Sequence, residues 1–264
     1  MKEVWVLGAG TMGNGIAHVF ALAGWNVLLY DISQEQIKRA INSISINMDR
    51  QIKKGIISEE DKTRAIQRIA TVTSLREGTP HLVIEAVFEN IDTKMEVLKK
   101  VSALVPTSTI IATNTSSISI TKLAVSVFER SRFLGIHFMN PVPVMKLVEI
   151  IKGLETSKET INRAVQIIRE LGKEPVVVND APGFISNRVL LPMINEAIYA
   201  LREGIAGPVE IDTIMKLGMN HPMGPLTLAD FIGLDVCLSI LNVLYEGFKN
   251  PKYAPCPLLE QLVN

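Results

Sequence analysis

The sequence predicts an α/β fold: a mostly parallel sheet covered by helices on both faces, followed by an all-helical C-terminal domain. Three observations lead there. Short β-branched or aliphatic runs alternate with longer helical patterns through the first two-thirds of the chain, the signature of strand-helix-strand units. After Asp180-Ala181-Pro182-Gly183 no strand-like run recurs. Gly and Pro clusters at Gly204, Gly207-Pro208, Pro222 and Gly224-Pro225 then divide the remainder into helices, because these residues interrupt regular backbone. The boundary falls at Gly183, giving domains of residues 1–183 and 184–264.

In chain order, strands are expected at residues 3–7, 27–30, 69–73, 82–87, 109–113, 133–138, 147–151 and 175–178. Helices are expected between them at 12–23, 35–54, 59–67, 91–104 and 158–171, and beyond the boundary at 185–203, 209–217 and 226–244. Capping chemistry fixes several ends. Ser33 stands before the second helix, Ser58 with Asp61 three residues on forms a capping-box pattern, and Gly172 closes the helix ending at Leu171, since each offers bonds or backbone freedom that orphan helix-end groups need.

Composition narrows the function classes. Lys plus Arg is 27 and Asp plus Glu is 27, with no block of like charge, so the basic footprint of a nucleic-acid binder is missing. Cys237 and Cys256 form no CxxC pair, and His18, His81, His137 and His221 lie far apart. That predicts a reduced, cytoplasmic protein without disulfides or a metal site. The longest nearly apolar stretch, 19–30, is interrupted by Asn26 and falls short of the roughly 20 residues a membrane span requires.

The opening Gly8-Ala9-Gly10-Thr11-Met12-Gly13 follows a strand and starts a helix, and the next strand ends in Asp31. This is the layout of a Rossmann-type dinucleotide site. The first glycine makes the tight turn, the second admits the pyrophosphate, the third lets helix and strand close up, and the acid receives ribose hydroxyls. A carboxylate at Asp31, with Ile32 and Ser33 where an Arg would bind a 2′-phosphate, favours NAD(H), with NADP(H) as the alternative. Later in the chain, strand alternation puts Glu149 on one face with Leu147 and Ile151, where a carboxylate needs a partner. His137, ending the preceding strand, is nearest in sequence. Two readings fit that spacing: a general acid/base pair, in which the carboxylate fixes the imidazole tautomer, or a purely structural pair.

Taken together, the glycine motif, Glu85-Ala86-Val87 with Glu89, Asn114-Thr115-Ser116-Ser117, His137-Phe138-Met139-Asn140-Pro141 and Pro182-Gly183-Phe184-Ile185-Ser186-Asn187-Arg188 resemble the L-3-hydroxyacyl-CoA dehydrogenase family, most of all its short-chain 3-hydroxybutyryl-CoA branch. The resemblance runs from about Lys2 to Val243. It implies that His137 is the general acid/base, that Glu149 orients it, and that Ser116 and Asn187 bind the substrate's 3-oxygen. It also implies cofactor contacts at Asp31, Ala86, Glu89, Lys94, Asn114, Ser116 and Asn140, beside Gly8, Gly10, Thr11, Met12 and Gly13, and a homodimer formed through the helical domain. Family members usually continue past Asn264 into a Gly-rich, aromatic segment.

An acyl-CoA substrate is therefore expected. Arg39, Arg50 and Lys54 fall on one side of the second helix, at 3.6 residues per turn, as either a CoA phosphate site with Lys54 its leading residue or a solvated basic face. Two other functions share parts of this pattern: a dehydrogenase of free hydroxy acids or sugar acids such as L-gulonate, and a non-catalytic dinucleotide-binding protein. The set Ser116, His137, Glu149 and Asn187 argues against the second of these, since a mere binder needs no acid/base machinery.

Overall fold

The structure is a computed structural model that describes residues 2–264. Its backbone divides into two compact units meeting between Asp180 and Ala181.

The first unit is an eight-stranded sheet in the order β3-β2-β1-β4-β5-β6-β7-β8. The strands are β1 Glu3–Leu7, β2 Asn26–Tyr30, β3 Ile69–Val72, β4 Leu82–Glu85, β5 Ile110–Thr113, β6 Phe133–Phe138, β7 Leu147–Lys152 and β8 Glu174–Asn179. Every neighbouring pair is parallel except β6 with β7. The helices of this unit are α1 Thr11–Leu22, α2 Gln34–Lys53, α3 Glu59–Gln67, α4 Ile91–Leu104, α5 Ile120–Ala124 and α6 Lys158–Glu170. Continuous apolar runs such as Val4 to Leu7 and Leu82 to Ile84 are fully or nearly fully buried, as strands covered on both faces must be. Ser33 accepts from the Gln36 N–H, Ser58 and Asp61 form both halves of a capping box, and Gly172 turns with φ +70°. Those are the three helix ends expected from the sequence. Trp5 and Trp25 are core residues.

The second unit contains α7 Ser186–Arg202, α8 Pro208–Gly218, α9 Pro225–Ile232, α10 Leu234–Phe248 and α11 Pro257–Val263. Its core joins Leu191, Ile194 and Ile198 to Ala229, Cys237, Leu241, Leu244 and Leu259. The single helix expected over 226–244 is two helices. They bend by 98° at Gly233, whose φ is 102°, a conformation open to glycine and costly for residues with a Cβ. The short helices α5 and α11 were not expected at all. No single helix among the described residues is long and apolar enough to cross a membrane, and α9 with α10 matches only as a bent pair.

Candidate active site

The glycine turn is built as the sequence implied. Gly8 has φ +103°, and a Cβ at Gly13 would lie 1.8 Å from the Gly8 carbonyl oxygen. Only glycine at both positions lets α1 start this close to the end of β1. A Cβ added to Gly10 would meet nothing within 4 Å, so its backbone faces open space. No side chain caps α1, which leaves the positive end of the helix available to an anion.

In front of this turn lies a cleft of about 500 Å³ lined by Gly8, Gly10, Thr11, Met12, Asp31 and Ala86, with Gln36, Phe88 and Thr93 among the further residues. Asp31 accepts hydrogen bonds from the Ala9 N–H at 2.8 Å and the Ser33 N–H at 2.9 Å. One bond goes to each carboxylate oxygen, and each keeps a second lone pair for a ribose hydroxyl. Ile32 and Phe88 are 83% and 80% exposed and are also part of the cleft lining, giving it apolar walls suited to a planar base. The residues present therefore fit a dinucleotide: amide donors for phosphate, a carboxylate for ribose, apolar surface for an aromatic ring. Gly13 itself lies behind this surface, in the helix–strand contact.

At the ends of β4 and β5 a second set of residues forms one connected network. Lys94 is fully buried, and its ammonium meets Glu85 at 2.8 Å, Glu89 at 3.2 Å and the Val87 carbonyl at 3.2 Å. Those three acceptors match its three donors. Glu85, equally buried, also accepts from the Val87 N–H at 2.7 Å and the Thr113 hydroxyl at 2.6 Å. Glu89 accepts from the hydroxyl of Thr115, the Ser116 N–H at 3.1 Å and the Ser117 hydroxyl at 3.3 Å. Asn114 accepts from the Phe138 N–H at 2.9 Å, tying β5 to β6. Of these residues, Glu85, Thr113 and Thr115 were not among the sequence candidates. A glutamate ending the apolar run Leu82-Val83-Ile84-Glu85 was the available signal, since a buried carboxylate demands partners.

His137 and Glu149 stand directly opposite each other across the antiparallel β6–β7 ladder. Their side chains meet with His137 Nδ1 2.8 Å from Glu149 Oε2. The two residues are 8% and 2% exposed, so the contact is little screened by solvent. Asn140, just past the end of β6, is joined to Pro141 by a cis peptide bond. Of the remaining candidates, Asn187 is in the first turn of α7, and Lys54 is an exposed C-cap of α2. On that helix Arg39 pairs with Glu35, and Arg50 donates to Asn47 at 3.3 Å.

A glycine turn early in the chain, followed along the sequence by a buried His–Glu pair, invites comparison with known proteins. Two family models match nearly the whole chain: "3-hydroxyacyl-CoA dehydrogenase, NAD binding domain" over residues 3–181 and "3-hydroxyacyl-CoA dehydrogenase, C-terminal domain" over residues 183–264. The chain belongs to the 3-hydroxyacyl-CoA dehydrogenase family. It is thus an oxidoreductase with an NAD-binding domain.

Within this family, the chain is 50% identical to 3-hydroxybutyryl-CoA dehydrogenase of Bradyrhizobium diazoefficiens, over all of this chain and 90% of that protein. It is 40% identical to the mitochondrial hydroxyacyl-coenzyme A dehydrogenase of Homo sapiens, over all of this chain and 86% of that one. The crystal structure of (S)-3-hydroxybutyryl-CoA dehydrogenase from Ralstonia eutropha superposes with a TM-score of 0.96 at 49% identity, covering all of this chain and 93% of that one. Among the described residues no group of three or more His, Cys, Asp or Glu side chains is placed to hold a metal ion.

Proposed function

We propose that this enzyme interconverts an L-3-hydroxyacyl-CoA, 3-hydroxybutyryl-CoA by preference, and the corresponding 3-ketoacyl-CoA, with His137 as general acid/base and NAD as cofactor. The observation that carries the proposal is the buried His137–Glu149 contact at 2.8 Å, in a chain whose half-identical relative is named for that reaction.

NAD, when bound, supplies the hydride acceptor for oxidation and the donor for reduction. The residues of the chain manage binding and the proton. The amides around Gly10 and the end of α1 hold phosphate charge, and Asp31 holds ribose hydroxyls and repels a 2′-phosphate. Asn114 and Asn140 bound the cofactor's reactive end, as Glu89 does with Lys94 behind it. His137 removes the hydroxyl proton in oxidation and returns it in reduction. Glu149, fixed opposite it by the ladder, holds the ring in one tautomer and stabilises the imidazolium that forms. Ser116 and Asn187 donate to the substrate's 3-oxygen, where negative charge develops. Lys54 receives CoA phosphate. The helical unit joins a second copy into a homodimer, and the two free, buried cysteines suit a reduced, cytoplasmic setting.

The direct test is His137→Gln, assayed by NADH oxidation with acetoacetyl-CoA. Turnover is expected to fall by about 10³-fold or more, while NADH binding, read by fluorescence, stays within about twofold. Unchanged turnover would remove His137 from the chemistry. Activity of the unaltered enzyme on free acetoacetate or L-gulonate, but not on acetoacetyl-CoA, would replace the CoA substrate with a free acid.

A further inference from the structure

The loop that carries Ser116 is held from two sides by carboxylates. On one side is Glu89, already described. On the other is Asp180, the last residue of the sheet-bearing unit. Asp180 accepts the Ser119 hydroxyl at 2.8 Å, the Ile120 N–H at 3.1 Å and the Thr121 N–H at 2.8 Å. All three donors belong to the start of α5, which follows Ser116 almost at once.

A helix of five residues is far below the length at which helical structure sustains itself in water. Its place must come from tertiary contacts. Ile120 and Leu123 supply an apolar seat, both fully buried, but apolar contact is non-directional and leaves the turn before α5 free to shift. The Asp180 carboxylate supplies the direction. Ser119 serves twice: its oxygen accepts from the Lys122 N–H at 3.3 Å while its own proton goes to Asp180.

Upstream the stiffness continues, because Thr115 Oγ1 accepts from the Ile118 N–H at 3.0 Å and the Ser117 N–H at 3.3 Å and donates onward to Glu89. An unbroken run of hydrogen bonds and covalent chain thus leads from Asp180 through residues 121–115 to Glu89, Lys94 and Glu85, with Ser116 inside it. Among the described residues no basic side chain pairs with Asp180, and its carboxylate bonds go to this one segment.

We propose that Asp180 is a positioning residue for the reaction: it fixes the loop so that the Ser116 hydroxyl stands where the substrate's 3-oxygen is bound. This rests on the role given to Ser116 above. Asp180→Asn puts an NH₂ donor against donors that need acceptors, which breaks the clamp at nearly constant size. Small displacements of a group that contacts the reacting atoms cost large factors in rate.

The experiment is a double-mutant cycle in kcat with Asp180→Asn and Ser116→Ala. Asp180→Asn alone is expected to lower kcat about 10- to 100-fold, with the Kd for NADH within about twofold. In the Ser116→Ala background the same change should cost less than about twofold, because the group it positions is gone. Equal losses in both backgrounds, or no loss in either, would overturn the proposal. No loss from Ser116→Ala alone would instead overturn the role of Ser116, and this proposal with it. Should Asp180→Asn fold poorly, Ser119→Ala removes one bond of the clamp together with the cap on the Lys122 N–H and is expected to lower kcat about threefold, with the same dependence on Ser116.

Discussion

In the sheet-bearing unit, β4, β5 and β6 bury every residue they contain and β1 all but its first, whereas α8 in the helical unit buries only Ile211 and leaves Val209, Ile214 and Leu217 exposed. The helical unit shows as many large exposed apolar side chains as the first in fewer than half the residues. The first unit satisfies itself: its apolar strands are covered, and its deepest charges, Lys94 and Glu85, are paired with 0% exposure. The second has apolar surface left over, which is how a chain looks when part of its core is to be completed by another molecule. Self-sufficiency and incompleteness predict different responses to substitution.

The sharpest break is inside the first unit. Lys94→Met leaves the Glu85 and Glu89 carboxylates without their cation, and removing one partner of a buried pair costs about 3–5 kcal/mol. Urea unfolding should register that loss, and adding Glu85→Gln should recover a large part of it. If Lys94→Met is neutral, the network is not the closed unit its distances describe. Next comes the helical unit, where Leu217→Glu alters an exposed position. Stability of the folded chain should change by less than about 0.5 kcal/mol, while sedimentation of the proposed homodimer shifts to a monomer mass. Retention of the dimer would place the interface elsewhere. The mildest effect is expected at the exposed end of α2, where Lys54→Ala should raise KM for acetoacetyl-CoA about three- to tenfold and leave KM for NADH unchanged, at the scale of one lost surface charge contact. An unchanged KM would return Lys54 to the solvated face.

Much of this architecture was legible in the sequence, and the reasons are physical. Strands buried on both faces must be apolar throughout, so runs such as residues 133–138 announce themselves. Gly8, Gly10, Gly13 and Asp31 are close in sequence and each has one geometric duty, so their cleft could be read before it was seen. His137 and Glu149 were legible because alternation along a strand fixes which residues share a face. What stayed hidden was held by partners distant along the chain. Asp180 meets residues 59 to 61 positions away, and Thr113 meets Glu85, 28 positions away, on the neighbouring strand. The break between α9 and α10 was missed because Gly233 sits within an otherwise continuous apolar pattern, which periodicity alone reads as one helix.

The single antiparallel pairing in the sheet has a consequence for how the protein can change. In the β6–β7 ladder, Gly135 faces Ile151, Ile136 faces Ile150, and His137 faces Glu149. The His137–Glu149 pair is therefore addressed by strand register rather than by the length of the connection between the strands. A slip of one residue would send Glu149 to the opposite face of the sheet, out of reach of the imidazole. Lengthening the connection beyond Pro141 would leave the pairing where it is. Over evolutionary time the exposed residues 144–146 can be rewritten while the pairing of His137 with Glu149 is inherited intact.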